Sequence, residues 1–161
     1  INKGNKSYLM KLKLEKNDII KYQKNRPPYL MIDYASEVIP GVSAKGYKDF
    51  PNDEWFFKVH WENDPNVPGM LQIESLVQMS ALSILTLNGN LGKAMYLISA
   101  NNIKFIKKIL PNSRFNIKTK TLEYKRGIAK CTGTGSVNSD IVCKADFSLI
   151  LPDEVNKFKI K

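Results

Sequence analysis

Between Gly69 and Leu87 the chain reads GMLQIESLVQMSALSILTL, and its apolar positions fall on nearly every side of a helical wheel. Met70, Leu71, Ile73, Leu76, Val77, Met79, Leu82, Ile84, Leu85 and Leu87 supply them. A helix lying on a protein surface keeps one polar face, and this one has none, so the spacing predicts a helix buried on most sides. Pro68 suits its first turn, where the missing N–H costs little, and Asn88-Gly89-Asn90 supplies the stop. One carboxylate, Glu74, interrupts the run.

The period changes on either side of that helix. Downstream, residues 93–111, 113–127, 128–138 and 139–152 read as four strands divided by Gly, Asn, Asp and Pro turns, with the cleanest alternation in FNIKTKTLEYK. Upstream, residues 16–24 suit a short helix capped by Asn17 or Asp18. Residues 25–41 open on a proline pair and become an apolar run suited to a strand, ending at the Pro40-Gly41 turn. Residues 42–50 read as the returning strand of a hairpin, and Pro51-Asn52-Asp53 as another turn. The GTGSV stretch lacks the lysine and following helix of a phosphate loop, so its glycines belong to a strand or bulge. The outline is α+β: a hairpin, one buried helix and a strand meander, which an antiparallel sheet wrapped around one central helix satisfies.

Composition narrows the class. The 161 residues, 43% hydrophobic and 10% aromatic, are those of one globular domain. Residues 1–16 read as a basic N-terminal extension and 17–161 as the domain. No stretch reaches the roughly 18 apolar residues of a membrane span. The opening INKGNKSYLMKLKLEK lacks the apolar centre of a secretory signal, which gives a cytoplasmic expectation. Cys131 and Cys143 lie in strand-like segments and read as buried free thiols, a disulfide requiring the two strands to pair there. One histidine and two distant cysteines offer no zinc cluster, so no metal is expected. The net charge of +10 comes from lysines spread along the chain with only three arginines, a pattern that argues against nucleic acid and suits an acidic protein partner.

The only histidine, His60, stands just before a proline-rich turn, DPNVPG, that leads into the apolar helix. Histidine titrates near neutral pH and can act as a base. The start of a helix at Pro68-Gly69 presents free N–H groups suited to developing negative charge. A carboxyl in apolar surroundings tends to stay protonated and can act as an acid. These are the parts of an acid/base lyase for a carbonyl compound. Alternatively, Glu74 faces a wet groove or hydrogen-bonds Gln78 one turn later.

NRPPYLMID (25–33), His60, Pro65, VPG (67–69), L-x-I-E (71–74) and Gln78 together resemble the 3-hydroxyacyl-acyl carrier protein dehydratases of the FabZ/FabA type. NNIKFIKKILP (101–111) falls where that family has a basic-aromatic strand ending in proline, and glutamate at position 74 is similar to the FabZ branch. The resemblance implies the hotdog fold and an active site shared across a homodimer, with a trimer of dimers as the larger assembly. It implies a (3R)-hydroxyacyl chain on the phosphopantetheine arm of acyl carrier protein, dehydrated to the trans-2-enoyl product without a cofactor. His60 would remove the C2 proton, Gly69 N–H would bind the thioester oxygen, and Glu74 of the other subunit would protonate the departing hydroxyl. Val67, Pro68 and Gln78 would complete the substrate site. Lys104, Lys107 and Lys108 would meet the acidic carrier.

This chain departs from the family at Val59, Trp61, Glu62 and Asp64 around the histidine, and at Asn25 in the proline-rich segment. The alternatives from other classes are a hotdog thioesterase and a non-catalytic hotdog protein that binds acyl chains or partners.

Overall fold

The apolar helix organises the molecule. In the computed structural model, which describes residues 10–158, it is α2 (Gly69–Leu85), and every residue of it is buried except Gly69, Met70 and Glu74. Its burial on nearly all sides is the arrangement its circumference predicts. Leu76, Leu82 and Ile84 are fully enclosed, each stabilising the fold by roughly 1.5–3 kcal/mol. Two of its three serines turn inward to main-chain oxygens instead of to water. Ser75 Oγ donates to Leu71 O at 3.0 Å, and Ser83 Oγ donates to Ser80 O at 2.8 Å.

The remaining elements are β1 (Leu12–Leu14), α1 (Lys16–Tyr22), β2 (Tyr34–Ile39), β3 (Ser43–Phe50), β4 (Tyr96–Phe105), β5 (Ser113–Lys125), β6 (Ile128–Val137), β7 (Asp140–Ile150) and the short α3 (Pro152–Val155). A single 3-10 turn covers Trp55–Lys58. The strands form one antiparallel sheet in the order β1-β2-β3-β5-β6-β7-β4. α2 packs across β2, β3, β5, β6 and β7, so the sheet wraps one central helix. Phe50, Phe115, Ile117, Cys143 and Phe147 close the core from the sheet side. Both cysteines are buried and free, as read from their strands.

Several boundaries differ from the sequence reading. Residues 12–14 of the basic segment form edge strand β1, while residues 1–9 and 159–161 lie outside the described residues. α1 begins after Glu15, with no side-chain cap; Asp18, read as a cap, instead bonds Lys21. The run after the proline pair does not become strand until Tyr34, because the Gln78 side chain takes its main-chain groups. Met31 N–H donates to Gln78 Oε1 at 2.8 Å, and Gln78 Nε2 donates to Tyr29 O at 2.9 Å. Leu30, Met31 and Ile32 are buried all the same. The final strands are not a simple meander: β4 crosses to the far edge beside β7, leaving β3 to pair with β5.

Register also gathers charge that is scattered along the chain. Lys45 of β3 faces Lys118 of β5, which faces Thr134 of β6, then Lys144 of β7 and Lys104 of β4. Ala44, Thr119, Gly133 and Ala145 occupy the neighbouring row and are buried. By strand alternation the lysine row therefore points away from α2.

Candidate active site

Phe56 and Phe57 plug the 3-10 turn into the core, and the chain leaves it at His60, whose N–H donates to Phe56 O at 2.9 Å. The histidine ring is held at one nitrogen. Its Nδ1 lies 3.1 Å from Asn66 O. A carbonyl oxygen only accepts, so Nδ1 carries the proton and Nε2 is left as the basic nitrogen. Trp61 stacks on the imidazole with ring centroids 5.2 Å apart and planes 24° from parallel. Asn66 is fixed in turn by donating from Nδ2 to Asp64 O at 2.6 Å.

Val67 N–H donates to Ile109 O at 2.9 Å, which ties the DPNVPG turn to the chain leaving β4. Pro68 then stands as the N-cap of α2, and its carbonyl accepts from Leu71 and Gln72 N–H. Gly69 is the first helical residue, with no main-chain acceptor for its N–H among the described residues. The Phe105 ring lies over Gly69: a Cβ there would come within 2.7 Å of Phe105 Cζ.

These parts line one groove of about 440 Å³, bounded by His60, Trp61, Asn66, Val67, Gly69, Met70, Gln72, Phe105, Ile106, Lys107 and Lys108. Gln72 is 3% exposed and donates from Nε2 to Val67 O at 3.1 Å, yet its Oε1 has no donor among the described residues. Leaving such an acceptor unmade costs about 1–3 kcal/mol.

Glu74 and Gln78 are not in this groove. Gln78 Nε2 donates to Glu74 Oε1 at 2.7 Å, the one-turn bond considered above, while Gln23 Nε2 donates to Gln78 O at 2.5 Å. The same Gln78 amide bonds Tyr29 O, so Glu74 sits beside the Tyr29 segment, and partial burial, then the Glu74 charge, raises the Tyr29 phenol above its ordinary value. Within one chain the fold thus joins His60, Val67 and Gly69, and holds Glu74 and Gln78 together elsewhere on α2.

The three lysines also separate. Lys107 pairs with Asp140 at 2.6 Å, and Lys108 pairs with Asp64 and stands 5.6 Å from the Trp61 ring centre. Lys104 lies on the outer face of the sheet, in a depression shared with Lys144 and Asp146. Of the departures, Val59 is 72% exposed, and Trp61 and Asp64 build the groove mouth through Lys108. Among the described residues no cluster of His, Cys, Asp or Glu could hold a metal ion.

Residues 24–146 match the family model of the FabA-like domain. The chain belongs to the FabA-like dehydratase family. Within it, the chain is 33% identical over 130 residues to the 3-hydroxyacyl-[acyl-carrier-protein] dehydratase FabZ of Roseiflexus sp., spanning 81% of this chain and 91% of that protein. It is 34% identical over 140 residues to the FabZ of Clostridium botulinum (strain Loch Maree / Type A3), spanning 86% and 96%. The FabA-like chain is therefore a hydro-lyase by family. Its fold is the hotdog, matched in the dehydratase heterocomplex ApeI:P from Xenorhabdus doucetiae with a TM-score of 0.70 over 89% of this chain and 97% of that one, at 13% identity. No helix among the described residues is long and apolar enough to cross a membrane.

Sequence reading did not single out Gln72, Asn66 or Phe105 as site residues. Gln72 carried a signal, an amide within an apolar run three residues after Gly69. Asn66 and Phe105 carried none, because their roles come from loop closure and from the path of β4.

Proposed function

We propose that this chain dehydrates (3R)-hydroxyacyl chains carried on acyl carrier protein to trans-2-enoyl chains in acyl-chain biosynthesis, with each active site shared by two subunits. The observation that carries the reading is the His60–Asn66 bond, which leaves Nε2 as a base in the same groove as the Gly69 helix start. A thioester oxygen bound at the Gly69 N–H gains from the positive end of α2 as charge develops on it. His60 Nε2 takes the proton from C2, and that C–H electron pair becomes the C2=C3 bond. The C3–O bond breaks, and the hydroxyl leaves as water with a proton from Glu74, directly or through water. Gln78 fixes the Glu74 carboxyl for this role. Val67 and Pro68 hold the turn that sets Gly69 against His60.

The free edge of β4 supports the shared site. Tyr96, Leu97, Ile98 and Phe105 are exposed there, along with Ile106 just beyond, and pairing with a second β4 covers this edge. Phe105 and Ile106 also line the His60 groove, so the seam runs beside it and the partner's α2 can bring its carboxylate there. For the acidic carrier, Lys104 is the lysine of the three with no carboxylate within 4 Å among the described residues.

Incubation with 3-hydroxyacyl-carrier proteins, following enoyl formation, tests the reading. Wild type should form enoyl product, and His60→Ala and Glu74→Gln should each fall at least ~10²-fold. Dehydration surviving both substitutions, or thiol release in its place, contradicts it.

A further inference from the structure

Lys48 is 7% exposed and shares a row of β3 with the buried Ala44 and Phe50, where strand alternation calls for an apolar side chain. It stands opposite Phe115 on β5, and its ammonium lies 5.7 Å from the Phe50 ring centre. A charge in such surroundings is costly unless it is met. Two carboxylates meet it: Lys48 Nζ donates to Glu54 Oε1 at 3.0 Å and to Asp33 Oδ2 at 3.3 Å. The Glu54 and Asp33 side chains are themselves only 15% and 20% exposed. Exchanging a buried ion cluster for neutral side chains is often no loss to stability, so stability alone gives little reason for charge here. What the cluster does is hold two chain segments at fixed places. Asp33 Oδ2 also accepts Asp49 N–H at 2.9 Å, which anchors one end of the clasp to β3. The other end, Glu54, is the N-cap of the 3-10 turn. Phe57 N–H donates to Glu54 O, and Phe56 O takes the N–H groups of both Val59 and His60. The main chain from Glu54 to His60 therefore has one path, and the Glu54 carboxylate sets where it starts. The buried Phe56 and Phe57 rings hold this turn to the core, but apolar burial has no direction, whereas hydrogen-bonded charges do.

We infer that Lys48 is a positioning residue for the proposed base: through Glu54 it sets the turn that carries His60 to the Gly69 groove. Its effect on rate rests on the dehydratase reading above. Asn66 O and Trp61 orient the ring at the end of the turn, and they meet it only if the turn brings it to them.

His60 is the only histidine, so a single set of imidazole nuclear magnetic resonance signals reports it. Wild type, with its ring neutral, should show one tautomer, protonated at Nδ1. Lys48→Met should lose that tautomer, and kcat should fall about tenfold while KM stays within about twofold, as for a misplaced base. The triple variant Lys48→Met/Asp33→Asn/Glu54→Gln leaves no buried charge unpaired and should melt close to wild type. It should still lack both the tautomer and the rate, and it carries the test should Lys48→Met fail to fold. A cluster with a structural role alone would return melting, tautomer and rate together in the triple variant, and that result overturns the inference. A folded Lys48→Met with the wild-type ring signals and rate overturns it as well. If wild type turns over no carrier-bound chain, the dehydratase reading falls while the ring signals still decide the positioning.

Discussion

Trp61 lies on the face of the His60 ring, 5.2 Å between centroids, while Lys108 bridges the Trp61 ring and the Asp64 carboxylate. The imidazole is thereby restrained in two directions: its edge by Asn66 O and its plane by Trp61. Since Trp61 is 54% exposed, losing it removes little core. Trp61→Ala should melt near the wild type but turn over about tenfold more slowly, a misplaced base losing rate before it loses fold. Trp61→Phe, which can still stack, should keep most of the rate. Steady-state kinetics beside thermal melts check both.

Gly69 is required by space more than by backbone freedom, because a methyl group there meets the Phe105 ring at 2.7 Å. Phe105 is half-exposed and its ring can swing away. Gly69→Ala should therefore cost under about 1 kcal/mol, alanine being the better helix former. The displaced ring should close the groove and raise KM. Combining it with Phe105→Ala should restore part of the binding, as measured in a double-mutant cycle.

Lys118 stands directly opposite Lys45, and like charges so placed are destabilising. Lys118→Glu turns the pair attractive and should stabilise the fold by about 0.2–1 kcal/mol at low salt. Near 1 M salt, where screening reaches about 3 Å, the gain should largely vanish. Denaturant titrations at the two ionic strengths check this.

Burial pushes the Cys143 thiol up to about 12 from an ordinary 9.0, a Gly135 backbone bond opposing it in part. Above pH 9 the unfolded chain gives up this proton while the folded chain keeps it, so stability falls as pH rises from 9 toward 12 and is complete below 9. Cys143→Ala lacks this contribution. The stability difference between wild type and variant should be flat below about pH 8 and narrow above 9, as read from melts across that range.

The helix, the hairpin and the late strands were legible because each depends on local period, and α2 announced its burial by having no polar side. The strand order was not legible. β4 reaches the far edge because its exit is held by Val67 and Ile109 and by Ile106 N–H donating to Val142 O, contacts distant in sequence. His60, Gly69 and Glu74 could be read from residue type and spacing. That His60 and Glu74 stand apart within one chain follows from the side of α2 each faces. The Gln72 acceptor needed burial to be noticed.

The most direct test of the shared site is mixing. His60→Ala and Glu74→Gln chains, each inactive alone, are unfolded together and refolded so that subunits re-pair. A site using His60 of one subunit and Glu74 of the other is intact once in every mixed dimer, so activity should return to about a quarter of wild type by random pairing. A refolded mixture that stays inactive while containing mixed dimers would contradict the account, since it would place both groups of a working site on one chain.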